Sequence, residues 1–199
     1  MIELRARDLT AFHDGRHAAA GWAKSAAAGN RGGLWQAVED NHRHNCLLWD
    51  EEDLARRRNV ADAEIAGNKR AIDGYNQKRN DAIERIDEQL LNLLAGVTIR
   101  PESRLNSETP GAMTDRLSIL SLKIRHMRLQ TQRGDVDSAH IESCVAKLGR
   151  LNEQREDLAA CLDRLLAELS RGESYFKVYR QFKMYNDPAL NPAIYGEKR

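Results

Sequence analysis

An asparagine followed three residues later by an arginine occurs twice in the chain, within two stretches that look like diverged copies of each other. The stretches are NQKRNDAIERIDEQLL, residues 76–91, and NEQREDLAACLDRLL, residues 152–166. The matching positions are Asn76, Arg79, Asp81, Asp87 and Leu90 in the first and Asn152, Arg155, Asp157, Asp163 and Leu166 in the second. An arginine guanidinium presents a planar fork of donors that fits a carboxylate or a phosphate. The repeat therefore predicts either two ion pairs or an anion site built from two arginines.

Helical periodicity covers almost all of the chain and predicts the elements that carry these residues. Two long hairpins are expected at residues 34–95 and 110–171, each made of two helices joined by a short corner. Positions that alternate four and three apart run along the second helix as Ile72, Asn76, Arg79, Ile83, Ile86 and Leu90 and along the fourth as Leu148, Asn152, Arg155, Ala159, Leu162 and Leu166. Such alternation is typical of the core seam of a left-handed bundle. The fold class is therefore predicted to be all-α, a four-helix bundle in a single domain of residues 1–199.

The remaining segments are predicted from their caps, glycines and prolines. Residues 3–28 indicate an additional N-terminal helical region, which the sequence GNRGG ends. Thr109 is expected to cap the third bundle helix, which then begins at Pro110. Residues 173–185 are expected to form an aromatic C-terminal helix, and the prolines beyond it predict an extended tail within residues 173–199.

Composition excludes several classes of protein. The formal net charge is +1, which argues against a nucleic-acid-binding protein because such proteins concentrate an excess of basic residues on one face. Charged residues interrupt the first fifteen positions and no long apolar run follows, so we expect no signal peptide, no membrane span and a cytoplasmic location. The cysteines number three and lack paired spacing, which favours reduced, structural thiols.

Polar residues occupy many of the predicted interior positions. The expected polar layer consists of Asn41, Asn45, Glu52, Asn76, Arg79, Asn152 and Arg155. An isolated charge in such a place costs several kcal/mol, so these groups must pair with each other or meet water or a ligand. In one interpretation the arginines pair with Glu52, Asp115 or another helical acid, and the asparagines fix the register of the helices. In the other, Arg79 and Arg155 clamp a phosphate between them, with Glu52 holding them apart.

A metal site is a further alternative. Glu84 and Asp87 have the ExxD spacing of the helical carboxylates that bind Mg²⁺ in all-helical nucleotide pyrophosphatases, and Glu52 is the third candidate ligand. The ExxE motif that should precede them is absent. His42 and His44 lie two residues apart on a helix and therefore point in different directions, so they do not predict a shared metal.

Four stretches resemble a bacterial family known as domain of unknown function 4254. They are NHRHNCLLWDEEDLAR, NQKRNDAIERID, NSETPGAMTDRLSILSLKIRHM and KVYRQFKMYNDPALNPAIYG. The residues that match the family's motifs are Asn45, Trp49, Glu52, Asp53, Arg56, Asn76, Arg79, Asp87, Glu108, Asp115, Arg116 and Lys123. Arg125 departs from the pattern, in which an aromatic residue precedes the histidine. The resemblance implies an association with glycosyltransferases of envelope polysaccharide assembly, and it implies no particular reaction.

The function we expect is the binding of a phosphorylated metabolite, a nucleotide-sugar or sugar phosphate, in an interior pocket. The predicted ligand-binding residues are Asn45, Glu52, Asn76, Arg79, Asp115, Arg116, Asn152 and Arg155. One alternative is a non-enzymatic scaffold for a glycosyltransferase that uses the aromatic C-terminal helix and tail, a surface that would also allow a homodimer. The other is a Mg²⁺-dependent nucleotide hydrolase that uses Glu52, Glu84 and Asp87. The sequence indicates no cofactor and leaves open whether the protein is an enzyme.

Overall fold

A computed structural model describes residues 4–19, 21–25, 32–180, 184 and 187–196. The described helices are α1 (Ala6–Ala18), α2 (Gly33–Leu54), α3 (Asp62–Leu93), α4 (Pro110–Thr131), α5 (Ser138–Ser170) and the short α6 (Pro192–Tyr195), with a 3₁₀ turn at Trp22–Lys24. Two strands of two residues each, β1 (Arg104–Leu105) and β2 (Ser174–Tyr175), pair in parallel. The prediction of an all-α bundle is confirmed, and the two long hairpins are α2–α3 and α4–α5.

Local signals explain where two of the long helices begin. The Thr109 hydroxyl accepts a hydrogen bond from the amide of Ala112 at 3.1 Å, and Pro110 is the first residue of α4. The Asp137 carboxylate accepts from the amide of His140 at 2.7 Å at the start of α5. The Thr109 cap was predicted from the sequence. Both caps satisfy backbone donors that have no partner within a helix.

The N-terminal helix α1 is part of the bundle rather than an addition to it. It packs against α4 and α5, and Leu9 and His13 on its inner face are fully buried. The apolar core lies where the starts of α1, α2 and α4 meet the ends of α3 and α5. Its residues with no exposed surface include Leu9, Val38, Ile86, Leu90, Leu117 and Leu162. Toward the middle of the bundle this core gives way to buried polar side chains.

The prediction of a helix over residues 173–185 is wrong for its described part. Gly172 ends α5 with a φ of +67°, and a Cβ there would lie 2.1 Å from the carbonyl oxygen of Thr98. Residues 174–175 then form β2 beside β1, and Phe176 is buried in the core. The close contact with the 97–106 connection requires an extended chain after Gly172. Residues 181–183 and 185 of the expected helix lie outside the described residues, and the predicted extended tail contains α6.

Candidate functional site

Arg79 of α3 lies in a buried hydrogen-bond network centred on Asp115 of α4. Nε of Arg79 donates to Oδ1 of Asp115 at 2.8 Å, and Nη2 donates to Oδ2. The amides of Asn41 and Asn45 on α2 donate to the same Oδ1, each at 2.9 Å, and Asn45 also donates to the Ser118 hydroxyl at 3.0 Å. The Asp115 side chain is 4% exposed and that of Arg79 is 26% exposed. The network thus satisfies a buried carboxylate with three side chains and ties α2, α3 and α4 together.

The second arginine of the repeat has a different environment. Nη1 of Arg155 on α5 donates to both carboxylate oxygens of Asp14 on α1, at 3.0 and 2.8 Å. The Asp14 side chain is 46% exposed. The prediction that Arg79 and Arg155 clamp one anion is wrong, because each guanidinium is bound to a different carboxylate on a different helix.

The aspartates of the repeat complete the parallel between the two copies. Oδ1 of Asp87 accepts from the amide of Gly111 at 2.7 Å, at the start of α4. Oδ1 of Asp163 accepts from the amide of Ala6 at 2.8 Å, at the start of α1. A carboxylate near a helix N-terminus also interacts favourably with the helix dipole. Each copy therefore places one arginine and one aspartate so that an antiparallel helix docks on it, α4 on the first copy and α1 on the second.

A cleft of about 390 Å³ opens beside the first copy, between α2, α3 and α4. Its lining consists of Asn45, Leu48, Trp49, Glu52, Asp53, Arg56, Asn76, Arg79, Ile119 and Leu122. Four of the predicted binding residues, Asn45, Glu52, Asn76 and Arg79, are thus brought together. Leu48, Ile119 and Leu122 supply an apolar wall, and the indole of Trp49 is stacked on His126 with 4.4 Å between ring centroids. The cleft combines two cations, two carboxylates, two amides and one large aromatic ring.

Several polar groups at this cleft are not used by the fold. The Nη1 atom of Arg79 and the side chain of Asn76 make no hydrogen bond to a described residue. The indole Nε1 of Trp49 is buried and also lacks a partner among the described residues. Such donors gain free energy when a ligand or an ordered water accepts from them.

The other predicted binding residues do not line this cleft. Arg116 is paired with Glu108 at 2.6 Å and borders a different groove of about 600 Å³ between α4 and α5. Asn152 and Arg155 belong to the α5 copy and are absent from the lining. Asp115 lies behind Arg79 as its partner. Glu52 pairs with Arg56 one turn later at 3.0 Å, so the prediction that it separates two arginines is wrong.

The three carboxylates predicted for Mg²⁺ are also not brought together. Glu84 is paired with Arg180 at 2.9 Å, Asp87 binds the start of α4, and Glu52 borders the cleft. Burial raises the pKa of Asp87 to about 6, against the lowering effect of its hydrogen bonds from Thr109 and Gly111. Among the described residues, three or more histidine, cysteine or acidic side chains bring their donor atoms together at one place. None of the three predicted acids is part of it.

That place is a cluster of histidines that sequence reasoning missed. It contains His13 and His17 of α1 and His42 and Cys46 of α2, and the ring of Trp22 is stacked on His42. Burial lowers the pKa of His13 to about 3 and that of His17 to about 4, and it raises the pKa of the Cys46 thiol to about 12. The missed signal was the spacing, because His13 and His17, like His42 and Cys46, are four residues apart and share a helix face.

The family to which the chain belongs is recognised from its sequence. The family model described as "Protein of unknown function (DUF4254)" matches residues 35–178, more than half of the chain, so the protein belongs to that family. This confirms the resemblance seen in the sequence. Comparisons with curated proteins and with solved structures find no match. Among the described helices, none combines the length and apolar character that crossing a membrane requires.

Proposed function

We propose that the cleft between α2, α3 and α4 binds a phosphorylated metabolite of the nucleotide-sugar or sugar-phosphate type. The observation that carries this proposal is the convergence on one cleft of Arg79 and Asn76, which have unused polar groups, and of the Trp49 ring. Its volume of about 390 Å³ lies within the range of roughly 300–1,000 Å³ that small-molecule sites occupy. The family to which the chain belongs has no assigned reaction, so the proposal rests on the geometry of the cleft.

The chemistry of the lining suits a ligand that carries both phosphate and hydroxyl groups. Nη1 of Arg79 and the guanidinium of Arg56 would donate to phosphate oxygens, which arginine binds with good geometry. Glu52 and Asp53 would accept hydrogen bonds from sugar hydroxyls, and the amide of Asn76 would both donate and accept. The indole of Trp49 offers a flat apolar face to a base or a sugar ring.

The charge of the lining adds a restriction on the ligand. The two arginines are balanced by Glu52 and Asp53, and Arg56 is already paired with Glu52. A bare polyphosphate would meet the carboxylates as well as the arginines. The cleft should therefore prefer a sugar phosphate or nucleotide-sugar over inorganic pyrophosphate.

Thermal unfolding with a panel of nucleotide-sugars, sugar phosphates and pyrophosphate tests the proposal. A ligand at about 100 times its Kd adds roughly 2.7 kcal/mol to the free energy of unfolding. We expect one sugar-bearing phosphate to raise the melting temperature of the wild type and to have a much smaller effect on Asn76→Ala. Asn152→Ala is the matched control, since it removes the same amide from the other copy and should respond like the wild type. A panel without effect on the wild type, or an equal response of both variants, would contradict the proposal.

The resemblance also supports a proposal about the setting in which the protein works. We infer a cytoplasmic bacterial protein that works beside glycosyltransferases of envelope polysaccharide assembly. A nucleotide-sugar ligand is consistent with that setting, because such compounds are the donors that glycosyltransferases consume.

A scaffold for a glycosyltransferase remains a second candidate because the C-terminal segment exposes large apolar side chains. Tyr179 is 72% exposed, and Ile194 and Tyr195 are also exposed. Deletion of residues 179–199 keeps β2 and the buried Phe176, so the bundle should still fold. If the segment is the docking surface, the truncated chain should lose affinity for the glycosyltransferase while its ligand response stays intact. Unchanged affinity would exclude this role.

A further inference from the structure

The histidine cluster lies at the contact of α1 and α2, and both helices contribute donors at the same spacing. His13 and His17 are one turn apart on α1, and His42 and Cys46 are one turn apart on α2. Residues four apart lie on the same helix face, and this spacing lets two side chains of one helix reach a single ion. Two facing pairs supply the four donors of a tetrahedral site.

Three of these donors already converge in the structure, and His13 lies outside this group of three. One donor atom each from His17, His42 and Cys46 lies within 4.8 Å of the other two. Sγ of Cys46 is 3.8 Å from Nε2 of His42. In a tetrahedral zinc site with bonds of about 2.0–2.3 Å, the donor atoms are about 3.3–3.8 Å apart, so only a small contraction is needed.

Serines of α4 hold the two histidine rings in place. Nδ1 of His42 is 2.8 Å from the Ser118 hydroxyl, and Nε2 is the nitrogen beside Cys46. Nε2 of His17 is 3.0 Å from the Ser121 hydroxyl. Metal-binding histidines usually have such a second hydrogen bond, which fixes the orientation of the ring.

His13 supplies an independent observation. Its side chain is completely buried, and neither ring nitrogen has a hydrogen-bond partner in the described structure. Its ring centroid is 4.5 Å from that of His42. A buried imidazole without a hydrogen-bond partner is costly.

We propose that the cluster is a transition-metal site in which His17, His42 and Cys46 bind the ion and His13 supplies the fourth ligand. Imidazole and thiolate donors favour Zn²⁺ and related ions over Mg²⁺ or Ca²⁺, which prefer oxygen. A cavity of about 260 Å³ whose lining includes His17 and Cys46 gives an ion access from the surface. Binding would release the Cys46 thiol proton to solvent, because the thiolate is the ligand.

The site is separate from the cleft proposed for the metabolite, although the two are connected. Ser118 contacts His42 on one side and Asn45 of the Asp115 network on the other. A metal ion bound to Nε2 of His42 would require Nδ1 of the same ring to carry the imidazole proton. Nδ1 would then donate to the Ser118 hydroxyl oxygen, which also accepts from Asn45. Metal binding would thereby stiffen the wall of the cleft without contributing a group to it.

Cobalt titration of the purified, metal-free full-length protein tests the proposal, with Zn²⁺ as the competing ion. We expect one equivalent of Co²⁺ to give a thiolate-to-cobalt charge-transfer band and the intense visible bands of tetrahedral cobalt, and one equivalent of Zn²⁺ to remove both. Cys46→Ser should abolish the charge-transfer band, and His17→Gln should weaken Co²⁺ binding at least tenfold. Circular dichroism of each metal-free variant verifies that it is folded.

A second histidine–cysteine pair provides the matched control. His140 and Cys144 of α5 are also four residues apart, with 3.4 Å between Nε2 and Sγ, but no third donor group joins them in the described structure. Cys144→Ser should therefore keep the full cobalt spectrum. A wild type without the charge-transfer band, or a band that persists in Cys46→Ser, would overturn the site. Visible bands unchanged by His13→Asn would overturn its role as the fourth ligand.

Discussion

The two copies of the Asn/Arg/Asp repeat share a sequence but not an environment. In α3, Arg79 uses two nitrogens to bind Asp115, which is almost completely buried and also accepts from two asparagines. In α5, Arg155 uses one nitrogen to bind Asp14, which is half exposed. Asp87 of the first copy is 2% exposed, whereas Asp163 of the second is exposed.

The difference shows how one local pattern serves two purposes. In both copies the arginine and the aspartate dock an antiparallel helix, which explains why they recur at the same points. The first copy is covered by α2 and α4 together, so its polar groups form a closed network with a cleft beside it. The second lies on α5, which packs against α4 and α1, and the aspartate that its arginine binds remains half exposed. The two copies differ in how deeply the carboxylate that binds the arginine is buried. This difference, rather than the repeated residues themselves, distinguishes the candidate site from a docking contact.

Removing the carboxylate partner of each arginine should give the largest contrast. Asp115→Ala leaves Arg79 and the amides of Asn41 and Asn45 without their acceptor, and we expect a loss of about 3–4 kcal/mol in the free energy of unfolding. Asp14→Ala removes a half-exposed pair and should cost less than about 1 kcal/mol. Urea denaturation measures both, and equal losses would contradict the distinction between the copies.

The close approach of α4 to the first copy can be broken at Gly111. A Cβ on this residue would lie 2.6 Å from the carbonyl oxygen of Ile83 and 2.8 Å from the carboxylate of Asp87. We expect Gly111→Ala to cost about 2–3 kcal/mol, as overpacking of a buried contact does. Gly149 of α5 has open space around it, so Gly149→Ala should stabilise the protein by up to about 1 kcal/mol through helix propensity. If Gly111→Ala leaves the free energy of unfolding unchanged, α4 approaches the first copy less closely than these distances indicate.

The pH dependence of stability should distinguish the two aspartates. Burial raises the pKa of Asp87 from 3.8 to about 6. As pH rises, the unfolded state therefore loses the Asp87 proton at a lower pH than the folded state does. The stabilisation is therefore complete below pH 3.8 and is lost as pH rises to about 6, amounting to about 2 kcal/mol. Buried histidines with a lowered pKa impose their own pH dependence on all three proteins. The decline should therefore appear as a difference: between pH 4 and 7 the free energy of unfolding of the wild type and of Asp163→Asn should fall by this amount relative to that of Asp87→Asn. Parallel curves for all three proteins would refute the shift.

Lysine substitution should give the smallest contrast. Arg79→Lys cannot reproduce a fork that uses Nε and Nη2 together, and we expect a loss of about 1–2 kcal/mol. Arg155→Lys retains a single cation for the exposed Asp14 and should change stability by less than about 0.5 kcal/mol. Equal effects in the same denaturation experiment would mean that the paired geometry of Arg79 has little energetic value.

The sequence predicts the long helices well because their signals are local. The hairpins expected at residues 34–95 and 110–171 are observed from Gly33 to Leu93 and from Pro110 to Ser170, and the cap Thr109 acts as predicted. The helix expected after Gly172 fails because its chain pairs with β1, a segment about 70 residues earlier that no local pattern reveals. Such a nonlocal pairing overrides helical periodicity.

The candidate site was predicted in part. The interior positions of Arg79 and Asn76 were predicted from the helical spacing of the sequence. That spacing does not predict which acid each arginine pairs with. Arg155 meets Asp14, which is 141 residues away in sequence. The histidine cluster had a readable signal in its four-residue spacing, yet nothing in the sequence shows that α1 and α2 face each other there.

The most direct test of the cleft uses the indole signals of the three tryptophans in a ¹H–¹⁵N spectrum. Trp49 lines the cleft with its unused Nε1–H, whereas Trp35 packs against the apolar core. Titration with a nucleotide-sugar should shift the Trp49 indole signal progressively to saturation and leave that of Trp35 in place, in the wild type and in Asn152→Ala alike. An unmoved Trp49 signal, or shifts confined to another tryptophan, would show that the cleft is not the binding site.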